Sequence, residues 1–156
     1  MIKTNAMRIL DAMKISYTTK QYEVDAEDLS GVHAAELMGL DPKGVFKTLV
    51  SRSDKGEIVV LCIPVHKELD LKKCAVSAGA KRLELITVKE LLPLTGYIRG
   101  GCSPIGMKKK YRTFLHESAL ENSEILVSGG QRGLQICIAP ADLMRATTAV
   151  TADLCR

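Results

Sequence analysis

Two β-rich runs, Val45 to Ser51 and Glu57 to Pro64, are joined across a short turn at Ser53, Asp54, Lys55 and Gly56. So short a connection joins antiparallel strands, so these runs predict a hairpin. In the first strand Val45, Lys47 and Leu49 share one face, and Phe46, Thr48 and Val50 share the other. Both faces are largely apolar, and an ammonium stands in the middle of one. A second probable hairpin pairs Glu124 to Ser128 with Leu134 to Ile138 around a glycine-rich loop. Helical spacing puts a first helix behind Thr4 and a second from Ser30 to Gly39, with a short helical start at Asp41-Pro42. Further helices are expected from Asp70 to Ala78, after the Thr87 and Glu90 capping pair, and from Pro140. Ile15 to Val24 and Arg82 to Ile86 read as extended. Strand pairs interspersed with helices predict a mixed α+β (α/β) fold and not a regular βαβ repeat.

Composition narrows the class. A chain of 156 residues suits one domain, 1–156, with a core that needs no disulfide or metal staple. Apolar residues at 46% and charged ones at 26% exclude disorder and collagen-like repeats. The longest apolar run, Ile58 to Val65, contains a proline and falls far short of the roughly 20 residues of a spanning helix. The polar start reaches Asp11 without an apolar signal segment, so secretion is not expected. Cys62, Cys74, Cys102, Cys137 and Cys155 form no Cys-x-x-Cys pair, which fits reduced, mostly buried thiols and a cytoplasmic location. His33, His66 and His116 are far apart, so neither a metal site nor a cofactor is expected.

Four features carry possible chemistry. Lys47 stands in an apolar strand face, either snorkelling to water at a sheet edge or held in a pocket wall to meet an anionic or carbonyl oxygen. The stretch Gly96 to Gly106 holds four glycines and a proline, so its backbone can approach a ligand closely or form an oxyanion site. Its Cys102 has no histidine or acid nearby in sequence to activate it. Between Glu90 and Glu117 there is no carboxylate, while Arg99, Lys108, Lys109, Lys110 and Arg112 concentrate there. That run is either a solvated surface or a phosphate-binding face. With only six aromatics and no Trp, extensive base stacking is disfavoured. Finally, Gln135 shares a strand face with Cys137, so its amide is either exposed or lines a polar pocket.

Three motifs occur in order: Val45-Phe46-Lys47-Thr48-Leu49, the Gly96–Gly106 loop, and Ser128-Gly129-Gly130-Gln131-Arg132-Gly133-Leu134. Together they resemble the YbaK/EbsC proteins, free-standing relatives of the editing domain of bacterial prolyl-tRNA synthetase. The resemblance implies a curled, barrel-like mixed β-sheet surrounded by helices. It implies hydrolysis of misacylated tRNA, most typically cysteine on tRNA(Pro), with the substrate's own thiol as nucleophile. It also implies prolyl-tRNA synthetase as a possible partner, and neither membrane nor DNA. By that likeness Lys47, Gly100 and Gly101 are the catalytic residues. Tyr22, Ser128, Gly129 and Gln135 bind substrate, and Arg99, Lys108, Lys109, Lys110 and Arg112 meet RNA. Gln135 departs from the aspartate of cysteine-specific members, and an amide neither neutralises an ammonium nor takes a proton. Around Leu29 and Ser30 the chain also lacks the aromatic found in relatives.

Three functions follow as alternatives. The first is an aminoacyl-tRNA deacylase. The second is a non-catalytic aminoacyl-tRNA or nucleotide-binding module of the same fold. The third is a regulator or small-ligand binder unrelated to tRNA.

Overall fold

The computed structural model describes residues 3–156. In chain order they form α1 (Asn5–Ala12), β1 (Thr18–Gln21), α2 (Gly31–Met38), β2 (Phe46–Ser53), β3 (Ile58–Pro64), α3 (Leu71–Ala78) and β4 (Leu83–Leu85). There follow α4 (Val88–Thr95), β5 (Arg112–His116), β6 (Ile125–Ser128), β7 (Leu134–Ile138), α5 (Pro140–Thr147) and β8 (Val150–Ala152), with short 3-10 turns at Pro42–Gly44 and Glu117–Glu121.

The helix boundaries follow from local chemistry. The side chains of Thr4, Ser30 and Asp70 accept backbone N–H groups of the first turns of α1, α2 and α3. Each such cap contributes about 1 kcal/mol. Gly39, Gly79 and Gly96 close α2, α3 and α4 in the left-handed region, where a side chain would be strained. Thr87 and Glu90 form the capping box expected from their spacing.

The strands make two sheets, not one. A mixed five-stranded sheet has the order β4-β2-β3-β5-β8, and an antiparallel three-stranded sheet has the order β1-β7-β6. The hairpin β2–β3 runs in register from Phe46 opposite Pro64 to Arg52 opposite Ile58. The sheets meet at one isolated parallel bridge, Val45 to Leu126. On its second side β2 pairs with β4 only from Ser51 onward. From Phe46 to Leu49, therefore, the sole strand partner of β2 among the described residues is β3, and its other edge opens between the two sheets.

The main core fills the space between the sheets, where Phe46, Leu115, Ile125, Ile136 and Ile138 pack with Met7 and Leu10 of α1. A second cluster lies under α3, where Leu61 and Ile63 meet Cys74, Ala75 and Phe114. Because β3 is covered on both faces, its sequence is a continuous apolar run with no alternation. No helix among the described residues is long and apolar enough to cross a membrane.

Two strands were not expected, β5 and β8. They add parallel to β3 and to each other, so no hairpin turn announces them. The strand β5 also fixes the surroundings of Arg112. Its Nη1 donates to the Ala78 carbonyl oxygen at 2.7 Å and lies 3.7 Å from Glu57 Oε1. Its guanidinium carbon sits 5.1 Å from the centre of the Phe114 ring. That cation makes these contacts within the fold while its side chain stays exposed.

At the end of β5, His116 is buried and its Nδ1 accepts the Leu154 N–H at 3.1 Å. Burial, assisted by Lys67, holds the imidazole below its ordinary value of about 6.5. The unfolded chain takes up this proton before the native chain does, so stability falls with acidification. The contribution is complete above about pH 6.5 and is lost as pH drops through the lower native value. Thermal melts between pH 7.5 and 5 should show a smaller acid-induced drop in Tm for His116→Asn than for the parent. Equal drops would remove this group from the account.

Candidate active site

The parting of the sheets along β2 holds a cavity of about 470 Å³, of small-ligand size. Lys47 and Thr48 of β2 form its floor, with Ser128 at the end of β6 and Gln135 in β7. The segment Tyr22 to Gly31 supplies a second wall, Leu85 to Leu91 a third, and the loop at Arg99, Gly100 and Cys102 a fourth. Exposed Leu85 and Val88 give the third wall an apolar rim.

Lys47 therefore lines the cavity. It is half-buried and makes no hydrogen bond or ion pair among the described residues. Gln135 also resolves to the pocket alternative. Only 7% of it is exposed, and its Oε1 is completely buried without a hydrogen-bond partner. Thr48 Oγ1 is buried too, but the Cys62 thiol is its hydrogen-bonding neighbour inside the core. A buried polar atom left unpaired costs about 1–3 kcal/mol, so the Gln135 amide oxygen is a group with hydrogen-bonding capacity to spare for a ligand. Sequence reasoning did not single out Thr48; its place beside Lys47 in an apolar strand was the available signal.

The loop is held rigidly from within. Tyr97 Oη donates to the Ile105 carbonyl at 2.6 Å, and Asn5 Nδ2 donates to the Gly106 carbonyl at 2.8 Å. Gly100, with φ +84°, lines the cavity, and its N–H has no acceptor among the described residues. Gly101 differs from expectation. Its N–H donates to the Ile98 carbonyl at 2.9 Å, and it stands outside the cavity lining. A Cβ there would sit 3.0 Å from backbone atoms of Gln131 and Arg132, so Gly101 lets two loops touch. Gly129 is similar. Its N–H donates to Leu134, its carbonyl accepts from Thr4 Oγ1, and a Cβ would press on Leu134 at 2.8 Å. Ser128 lines the cavity, and its Oγ accepts the Gly130 N–H at 3.2 Å.

Cys102 is the one cysteine lining the cavity among the described residues, and burial pushes its thiol up to about 12. A thiol so far above neutral pH supplies no thiolate, and neither a histidine nor a carboxylate lines the cavity to serve as its base. Of the basic run, Arg99 reaches this cavity. Lys109 and Lys110 line a separate hollow of about 270 Å³ beside Met13 and Met107, and Lys108 packs over Gly96.

An open-edged strand carrying an unpaired lysine, an orphaned amide and a free loop N–H is a frame for an uncharged or anionic acyl oxygen. A family model of the aminoacyl-tRNA editing domain matches residues 27–146. The chain belongs to the aminoacyl-tRNA editing domain family. EbsC of Enterococcus faecalis, provisionally named a Cys-tRNA(Pro)/Cys-tRNA(Cys) deacylase, is 44% identical over 152 residues, covering 97% of this chain and 93% of that protein. The proline–tRNA ligase of Brachyspira hyodysenteriae is 28% identical over 118 residues; the match covers 74% of this editing-domain chain and 20% of the ligase. Among solved structures, a provisionally assigned trans-editing enzyme for prolyl-tRNA synthetase superposes with a TM-score of 0.81 at 25% identity, covering 100% of this chain and 99% of that one.

Proposed function

We propose that this editing domain hydrolyses the aminoacyl ester of misacylated tRNA in trans, with cysteine on tRNA(Pro) as its leading substrate. The observation that carries the reading is the buried, unpartnered Gln135 Oε1 in the same cavity as the unpaired Lys47. A substrate α-amino group would satisfy the amide oxygen, and the ester with its adenosine would meet the ammonium and the Gly100 N–H. Tyr22 and Ser128 form side walls. Gly101 and Gly129 serve by allowing close packing, and Arg99 meets RNA at the mouth. Lys108, Lys109 and Lys110 offer a separate attraction to phosphates, weakened by salt.

The acyl group's own thiol is the proposed nucleophile, supported by the inert Cys102. The sulfur attacks the ester carbonyl, its proton passes to the departing ribose oxygen, and water then opens the resulting thiolactone. Such a reaction needs orientation and oxyanion stabilisation from the protein, and little else. The setting we infer is cytoplasmic, with prolyl-tRNA synthetase as the partner whose errors are removed; the ligase likeness supports this. One domain spans 1–156, and its two bridged sheets act as one curled, barrel-like scaffold.

A deacylation assay with cysteine and alanine on tRNA(Pro) tests the reading directly; a chain inert on all mischarged tRNAs would refute it. Gln135→Leu sharpens the test. Exchanging an unsatisfied amide for a similar apolar group should leave Tm unchanged or raised. Meanwhile kcat/KM should fall roughly tenfold to a hundredfold, the worth of a hydrogen bond to a charged group. A lowered Tm with full activity would assign the amide a structural role. The binding-module reading rests on one observation, that Gln135 cannot take a proton. It requires that Gln135→Asp create activity that the parent lacks.

A further inference from the structure

Arg132 belongs to none of the roles assigned so far, yet its surroundings are specific. Its Nε donates to the Arg99 carbonyl oxygen at 2.8 Å, fastening the loop after β6 to the loop after α4. Its stem lies over Gly100, where a Cβ would sit 3.3–3.7 Å from Arg132 Nε, Cγ and Cδ. The residue also lines a small hollow of about 10 Å³ that shares Tyr22, Leu29, Ser30 and Gly100 with the main cavity. The guanidinium is thus exposed and anchored through one nitrogen at the cavity wall. Its two terminal nitrogens have no hydrogen bond or ion pair among the described residues.

The carboxylates nearest in that hollow are already engaged. Asp25 Oδ2 lies 2.9 Å from His33 Nε2, and its Oδ1 accepts the Glu27 N–H. Asp28 Oδ1 accepts the Ser30 N–H, which helps hold that carboxyl below its usual range. Neither forms an ion pair with Arg132 within 4.0 Å. Arg99, on the other side of Gly100, is likewise without an acidic partner. A fixed, planar fork with free terminal nitrogens is the side chain best matched to the two oxygens of a phosphate.

We propose that Arg132 binds the phosphodiester immediately 5′ of the nucleoside seated in the main cavity, while its Nε keeps Gly100 in place. This rests on the reading of the cavity as an aminoacyl-nucleoside site. It predicts that the protein distinguishes a nucleoside carrying a 5′ phosphodiester from one without it, and that Arg132 makes the distinction.

The test is a binding comparison between the dinucleotide CpA and adenosine, made on the parent and on Arg132→Met, alongside deacylation of cysteinyl-tRNA(Pro). The parent should bind CpA on the order of tenfold or more tightly than adenosine, as a charge-assisted contact provides. In Arg132→Met that ratio should fall towards one, and the salt dependence of CpA binding should lose about one ion of slope. If Arg132→Met does not fold, Arg132→Lys serves, and it should keep part of the ratio because charge remains without the fork. A parent ratio near one, or a ratio unchanged in the variant, overturns the inference. Failure of tRNA deacylation with the expected CpA ratio intact would overturn the catalytic reading alone.

Discussion

Lys47→Met should lower kcat/KM on misacylated tRNA by about 10²–10³, the usual cost of removing one electrostatic stabiliser from a reacting oxygen. It should do so without unfolding the protein. The ammonium has no partner among the described residues, so removing it strands no buried counter-charge. Methionine preserves the stem that packs along β2, and Tm should stay equal or rise slightly. The fall should appear in kcat if the ammonium acts on the developing charge, and in KM alone if it only holds the adenosine. Full activity in a folded Lys47→Met protein would remove Lys47 from the site.

Gly101→Ala should act through geometry. Its Cβ would meet three backbone atoms of Gln131 and Arg132 at 3.0 Å, and backbone cannot step aside as a flexible side chain can. Overpacking of this kind costs about 1–3 kcal/mol, or roughly 3–10 °C in Tm. The two loops that it separates carry Gly100 and Ser128, both in the cavity wall, so activity should drop at least about tenfold. Gly44→Ala is the control. A Cβ there has nothing nearer than 3.9 Å and should leave melting and turnover unchanged. A normal Tm and normal turnover in Gly101→Ala would mean that the loops have more freedom than their packing implies.

The resemblance to an editing domain was readable from three motifs because each holds residues whose backbone needs are local. Glycine at a left-handed turn, a proline after it, and a lysine flanked by strand formers survive as a pattern in one dimension. The separation of Gly100 from Gly101 was not readable. Both are glycines in one loop, and only the hydrogen bond to Ile98 and the contact with Gln131 show that the second serves packing. The surroundings of the basic run were not readable either: adjacency along the chain does not show that β5 brings Arg112 to the Ala78 carbonyl and near Glu57.

The caps of α2 and α3 and the β2–β3 hairpin were determined by the sequence alone, since caps and turns act over a few residues. The parallel strands β5 and β8, the division into two sheets and the cavity between them were decided by tertiary structure. Parallel pairing joins distant segments without a turn to mark it, so no local pattern records it. The same holds for Lys47 and Gln135. Each allowed an exposed or an enclosed reading, and the choice belonged to what the open edge of β2 faces across the gap.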